Sequence, residues 1–197
     1  MENTSKKMAV SVPITLGIRD GKGKSLATKA SAYAHHRTIG GLMPGARFGI
    51  GDNTYVRRAG AKKIDFKLGR TEWLPPTDQR VVQLTASDVK ADLYPVDKEQ
   101  LYLLGDPTRM EVHRDQRYDL DITFKVHSRH PLPLNDGKAN AILRDKHGKI
   151  VGGTHPSDTD TWARFAPGWS VHRIETGGVP PTVDASRIEV YPQPSYY

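Results

Sequence analysis

The chain of 197 residues contains no cysteine. That excludes a disulfide framework, Cys-ligated zinc, iron–sulfur clusters and thiol catalysis. No apolar run approaches the ~20 residues that span a membrane, so no membrane span is expected. The start, Met1-Glu-Asn-Thr-Ser-Lys-Lys7, has no unbroken apolar stretch of the kind a secretory signal peptide needs. The expected location is therefore the cytoplasm at synthesis, or an assembled particle. The length suggests one domain, or one with a long appended segment, and a chain of this size needs no covalent staple to hold a core.

What the sequence has in excess is positive charge, unevenly spread. Residues 1–80 carry 15 Lys and Arg against 6 Asp and Glu, whereas residues 81–197 carry 14 against 16. The first stretch is also rich in glycine. Such asymmetry suggests a surface that meets an anionic partner, and the plain alternative is a solvated basic face. The candidate contacts are Lys22, Lys24, Arg37, Arg47, Arg57, Arg58, Lys62, Lys63 and Lys67. Phe48, Tyr55, Phe66 and Trp73 stand among them, and aromatics can stack on bases while cations neutralise phosphates. Alternation over 64–68 argues the other way, with Ile64, Phe66 and Leu68 on a core side and the cations in solvent.

Strict alternation dominates the pattern. Met8, Val10, Val12, Ile14, Leu16 and Ile18 alternate with small or polar residues, which predicts a strand ending at the Asp20-Gly21 turn. Pro13 has no N–H and pushes this strand toward a sheet edge or a bulge. Residues 25–36, rich in alanine behind Ser25, read as a helix. Short strands are expected at 54–57, 64–68, 81–84, 89–93 and 101–104. Leu74-Pro75-Pro76-Thr77-Asp78 reads as a boundary. Tyr118, Leu120, Ile122, Phe124 and Val126 alternate with polar residues and form the clearest strand, half buried. Further strands are expected at 139–144, 149–151, 169–174 and 183–191, with a turn at Asp145-Lys-His-Gly148. The fold class is thus all-β: an immunoglobulin-like or jelly-roll-like antiparallel β-sandwich over 77–197, preceded by a basic, Gly-rich N-terminal arm over 1–76 with one or more short strands.

Tyr118–Val126, Ala141-Ile-Leu-Arg-Asp-Lys-His-Gly-Lys-Ile-Val-Gly152 and Phe165-Ala-Pro-Gly-Trp-Ser170 together form a known order of strands and turns. Over 81–192 the chain resembles the FxLYD-type and related immunoglobulin-like domains of bacterial surface proteins and lipoproteins. The resemblance implies an immunoglobulin-like fold and a non-catalytic role. Nothing in 1–76 matches those domains.

Catalytic and metal motifs fall short. Gly17–Ser25 approaches a phosphate-binding loop through Gly23-Lys24-Ser25, but the required first glycine is Ile18. His127 and His130 would converge on a metal only if the chain turned between them. His155, Asp158 and Asp160 share one polar loop, and His35-His36 reads as a polar stretch. No Gly-x-Ser-x-Gly elbow accompanies the abundant Ser, His and Asp. Of Asp115, Asp119 and Asp121, the last two fall on the solvent face of a strand. No catalytic residue, metal ligand set or cofactor is assigned.

The leading expectation is a non-catalytic structural protein, a β-sandwich component of a larger assembly such as a coat or capsid-associated particle. Its basic arm would dock on neighbouring subunits or an anionic partner and order on assembly. The alternatives are a secreted or surface-attached immunoglobulin-like accessory binding domain, and a nucleic-acid-binding protein using residues 1–76.

Overall fold

A computed structural model describes residues 1–26, 36–50, 61–78, 82–95, 118–154 and 163–194. The chain divides into two compact units: unit 1 comprises residues 1–48, 54–83 and 196–197, and unit 2 comprises 49–53 and 84–195. Among the described residues every regular element of both is an antiparallel strand, apart from one 3₁₀ turn at Ala185–Arg187.

Unit 1 is a sheet built around β1 (Met8–Asp20). β2 (His36–Leu42) pairs with it on one side. β3 (Ala61–Leu68) and β4 (Glu72–Leu74) pair with different stretches of it. The even-numbered side chains Met8, Val10, Val12, Ile14 and Ile18 are buried, as period-2 patterning requires. Ile39 and Leu74, opposite Val12 and Met8, share that face. Asn3 ties the N-terminal end down: its Nδ2 donates to the carbonyls of Lys7 (2.8 Å) and Leu42 (2.7 Å). Residues 1–76, read as an arm with short strands, thus carry all four strands of this sheet.

Pro13 sits in the central strand and not at an edge. Its carbonyl accepts a hydrogen bond from the Gly69 N–H (2.8 Å), where pairing passes from β3 to β4. Backbone N–H and C=O of one strand residue point to the same side. The missing donor of Pro13 therefore faces the interruption at 69–71, where no ladder bond is lost. A Cβ on Gly69 would lie 3.0 Å from the Pro13 ring, so the residue at the break is one without a side chain.

Unit 2 contains one sheet in the order β10-β6-β5 and another in the order β11-β7-β8. Their ranges are β5 Leu84–Pro95, β6 Tyr118–Ser128, β7 Leu134–Arg144, β8 Ile150–Gly153, β10 Gly168–Val179 and β11 Glu189–Gln193. The short β9 (Ala163–Phe165) also pairs with β7. One cluster joins the inner face of β6 (Leu120, Ile122, Phe124, Val126) to Ala139, Ala141 and Leu143 of β7, with Phe165 and Ile174 among them. Fully burying an aliphatic or aromatic side chain contributes about 1.5–3 kcal/mol. This cluster is therefore the main source of stability in unit 2.

Some expected boundaries change. Leu84, the last residue of the expected 81–84 strand, and the expected 89–93 strand belong to one strand, β5, whose register shifts between Ser87 and Lys90; Val82 and Gln83 precede it outside any strand, and Val81 lies outside the described residues. Asp88 takes a left-handed conformation there (φ 50°), and Asp136 does the same (φ 56°) at the β7–β9 shift. Aspartate tolerates that region better than most residues. Ser25 bridges to Arg19 and His36 opens β2, so both ends of the expected helix are extended. Its interior, 27–35, lies outside the described residues, as do the expected strands at 54–57 and 101–104.

Candidate functional site

β1 and the turn that follows it gather the basic residues of unit 1. Asp20 pairs with Ala61, which brings the turn at 21–24 beside the start of β3. Within that turn the Asp20 carboxylate accepts the N–H groups of Lys22 (2.9 Å) and Lys24 (2.8 Å). A Cβ on Gly21 would lie 3.6 Å from Lys62 Cγ, so the Lys62 stem packs against the turn. Lys22, Lys24, Lys62, Lys63 and Lys67 are all exposed along this end and edge. Arg19, which the sequence reading passed over, also stands here and pairs with Asp65. Lys63 approaches the same carboxylate at 3.1 Å. Hydrogen bonding to Arg19 and then to Lys63 holds the Asp65 carboxyl below its ordinary value. Six cations thus share the region with two carboxylates, leaving an excess of four.

The other candidate contacts are elsewhere or undescribed. Arg47 pairs with Glu2 at 3.0 Å, in the short bridge between the N-terminus and residue 47. Arg37 lies in β2, on the far side of β1 from β3. Arg57, Arg58 and Tyr55 fall outside the described residues. Phe48 is 6% exposed and has no free face for a base.

The core-side expectation for 64–68 is corrected. Ile64, Phe66 and Leu68 are 61%, 67% and 54% exposed. They share a face with the buried Ile18 and Ile14 and the half-buried Leu16 opposite them. Yet β3 pairs only with β1, and among the described residues nothing covers its apolar row. Alternation shows which residues share a face, but not whether that face is covered.

In unit 2 the outer face of β10-β6-β5 carries a second candidate surface. The rings of Trp169 and His127 approach to 4.7 Å between centroids. Trp169 and Val171 remain 59% and 65% exposed. Lys125 bonds Asp88 at 2.8 Å, and these two line a hollow together with Trp169, Ser170 and Val171. Hydrogen bonding to Lys125 holds the Asp88 carboxyl below its ordinary value. Nothing in the alternation singled out Trp169; it entered as one end of an expected strand and within the Phe165–Ser170 stretch of the resemblance.

The remaining motifs resolve as follows. His130 Nδ1 lies 2.9 Å from the Leu132 carbonyl and so serves its own loop, while His127 stacks on Trp169; the two do not converge. Asp121 is engaged by Arg173. On the inner face, Ser170 Oγ is 2.7 Å from His172 Nε2, and the His172 ring meets Phe165 edge-on at 4.7 Å. The near-phosphate-loop at 17–25 is a strand end and tight turn, with Ser25 bridged back to Arg19. His155, Asp158, Asp160, Asp115 and His35 are outside the described residues, and of His36 only the strand backbone is described. Among the described residues no group of three or more acidic or histidine side chains could hold a metal ion, and no helix is long and apolar enough to cross a membrane.

Comparison with protein families, with curated proteins and with solved structures finds no match. The likeness of 81–192 to immunoglobulin-like surface domains therefore rests on its strands and turns alone.

Proposed function

We propose that this chain is a non-catalytic structural protein, a component of a larger assembly that docks through the β3 edge of unit 1. The observation that carries the reading is the exposed row Ile64, Phe66 and Leu68 on a strand that, among the described residues, is paired on one side only. Such an edge presents unpaired backbone groups and apolar surface together, which is a template for another chain. In unit 2, one buried cluster shared by strands of two sheets supports a β-sandwich, with an immunoglobulin-like or jelly-roll-like topology as the finer reading. Unit 2 would then be the rigid body and unit 1 the docking element.

A second reading is favoured by one observation: Lys22, Lys24, Lys62 and Lys67 are exposed cations on β3 and on the turn next to its start, and β3 also carries an exposed aromatic, Phe66. That combination suits single-stranded nucleic acid. Light scattering at low and high salt, with absorbance at 260 and 280 nm across the peak, separates the two. A mass well above the 21.9 kDa of one chain, without nucleic acid, is expected. Nucleic acid that salt strips off moves the assignment to the second reading. A clean monomer at both salts overturns both and leaves an accessory immunoglobulin-like binding domain.

A further inference from the structure

We infer that the occupant of the β3 edge is β3 of a second copy of this chain, paired antiparallel and centred on Phe66. The inference rests on the assembly reading above and names its partner and register.

The backbone fixes which groups are free. The Pro13 carbonyl points toward β3, since it accepts from Gly69. Odd-numbered residues of β1 therefore face β3, and Thr15, Gly17 and Arg19 pair with Lys67, Asp65 and Lys63. The Ile18 carbonyl confirms the parity by pointing the other way, to Leu26 N–H (2.8 Å). Lys63, Asp65 and Lys67 thus spend their N–H and C=O groups on β1. Lys62, Ile64, Phe66 and Leu68 direct theirs outward, in the same residues whose side chains form the exposed row.

Charge and apolar pattern then select the register. Antiparallel strands sharing a face pair residues of equal parity here, so three central registers compete. Centring on Asp65 sets Asp65 against Asp65 and Lys63 against Lys67, both like-charge pairs. Centring on Ile64 sets Lys62 against Phe66 and breaks the apolar row. Centring on Phe66 sets Phe66 on Phe66, Ile64 on Leu68 twice, and Asp65 opposite Lys67 twice. Only this register makes the row continuous and every inner charged pair opposite in sign. Lys62 meets Arg70 at the two open ends, where both are exposed and salt screens them. Salt therefore does not dissolve this pairing, in contrast to binding of an anionic polymer.

The absence of cysteine makes the register directly readable, because any introduced thiol is the only one. Ile64→Cys, Phe66→Cys and Leu68→Cys each alter an exposed side chain, and the circular dichroism spectrum checks that the fold is kept. Facing residues of a hydrogen-bonded pair have Cα atoms about 5.5 Å apart, within reach of a disulfide. Two copies of residue 64 would lie four positions apart, roughly 13 Å, beyond that reach. On mild oxidation at low and high salt, followed by non-reducing denaturing electrophoresis, F66C is expected to shift from 21.9 kDa to twice that mass. I64C and L68C alone are expected to run as uncross-linked single chains, and their mixture to cross-link. Dimers of I64C alone, or equal yields from all three, overturn the register. No cross-linking in a protein that still assembles by light scattering overturns the pairing and leaves the assembly reading standing. A wild-type monomer under all conditions overturns both.

Discussion

Gly137 lies flat against the ring of Phe165: a Cβ there would come within 2.4 Å of Cε2 and 2.6 Å of Cδ2. Phe165 is fully buried at the β7–β9 junction, and Gly137 directly follows the left-handed Asp136. The ring belongs to the unit 2 core, so the glycine is a condition for that core to close.

Gly137→Ala is accordingly expected to destabilise the protein by about 1–3 kcal/mol, the usual range for overpacking a filled core. The urea midpoint measures it. In a Phe165→Leu background the added cost of Gly137→Ala should shrink, because the colliding ring edge is gone. An undiminished cost in the double-mutant cycle would place the strain in the backbone and not in the ring.

Asn140 presents the opposite case, a polar side chain in a dry place. It is 1% exposed, and among the described residues neither its Nδ2 nor its Oδ1 has a hydrogen-bond partner. It lies in β7 opposite Tyr191, and the backbone of Gly49 lies against Tyr191 and Ile142 on the same face. A buried unsatisfied amide costs about 1–3 kcal/mol. Asn140→Val, close in volume and suited to a strand, should raise the urea midpoint by a corresponding amount. A fall would reveal a bound water or another partner for the amide.

Acid sensitivity should concentrate on Glu189. Arg144 donates to its carboxylate at 2.8 and 3.4 Å, and Tyr191 donates a further hydrogen bond. Arg144 first, and then Tyr191, hold the carboxyl below its ordinary value of 4.5. A group with a lowered folded-state pKa contributes stability above the unfolded value and loses it as pH falls through the folded one. Glu189→Gln should therefore be less stable than wild type at neutral pH. The gap should narrow as pH drops below 4.5 and close once Glu189 is protonated. Urea midpoints of the two proteins across that range test this, and a gap that stays constant in acid would remove Glu189 from the acid response.

Much of this architecture could be read from local pattern. Period-2 alternation located β1 and β6 almost to their ends, because a strand with one buried face must alternate. Asp145 and Gly148 announced their turn through side-chain and backbone chemistry that needs no distant partner; the Asp145 carboxylate accepts from His147 and Lys149 N–H at 2.9 Å each. The positive charge of residues 1–80 was likewise a property of composition.

Tertiary structure decided what composition and alternation leave open. Pro13 reads as a residue for a sheet edge or a bulge, and it sits in the central strand where the break between β3 and β4 falls opposite its missing N–H. Ile64, Phe66 and Leu68 read as core, yet they are exposed, because no described strand covers the outer side of β3. The alternation of a strand depends on its own residues alone, whereas burial depends on which other strands come to lie beside it. Local alternation therefore located β1 and β6 and the faces of their side chains. Only the pairing of those strands decided which apolar face became a core and which became an edge open to a partner.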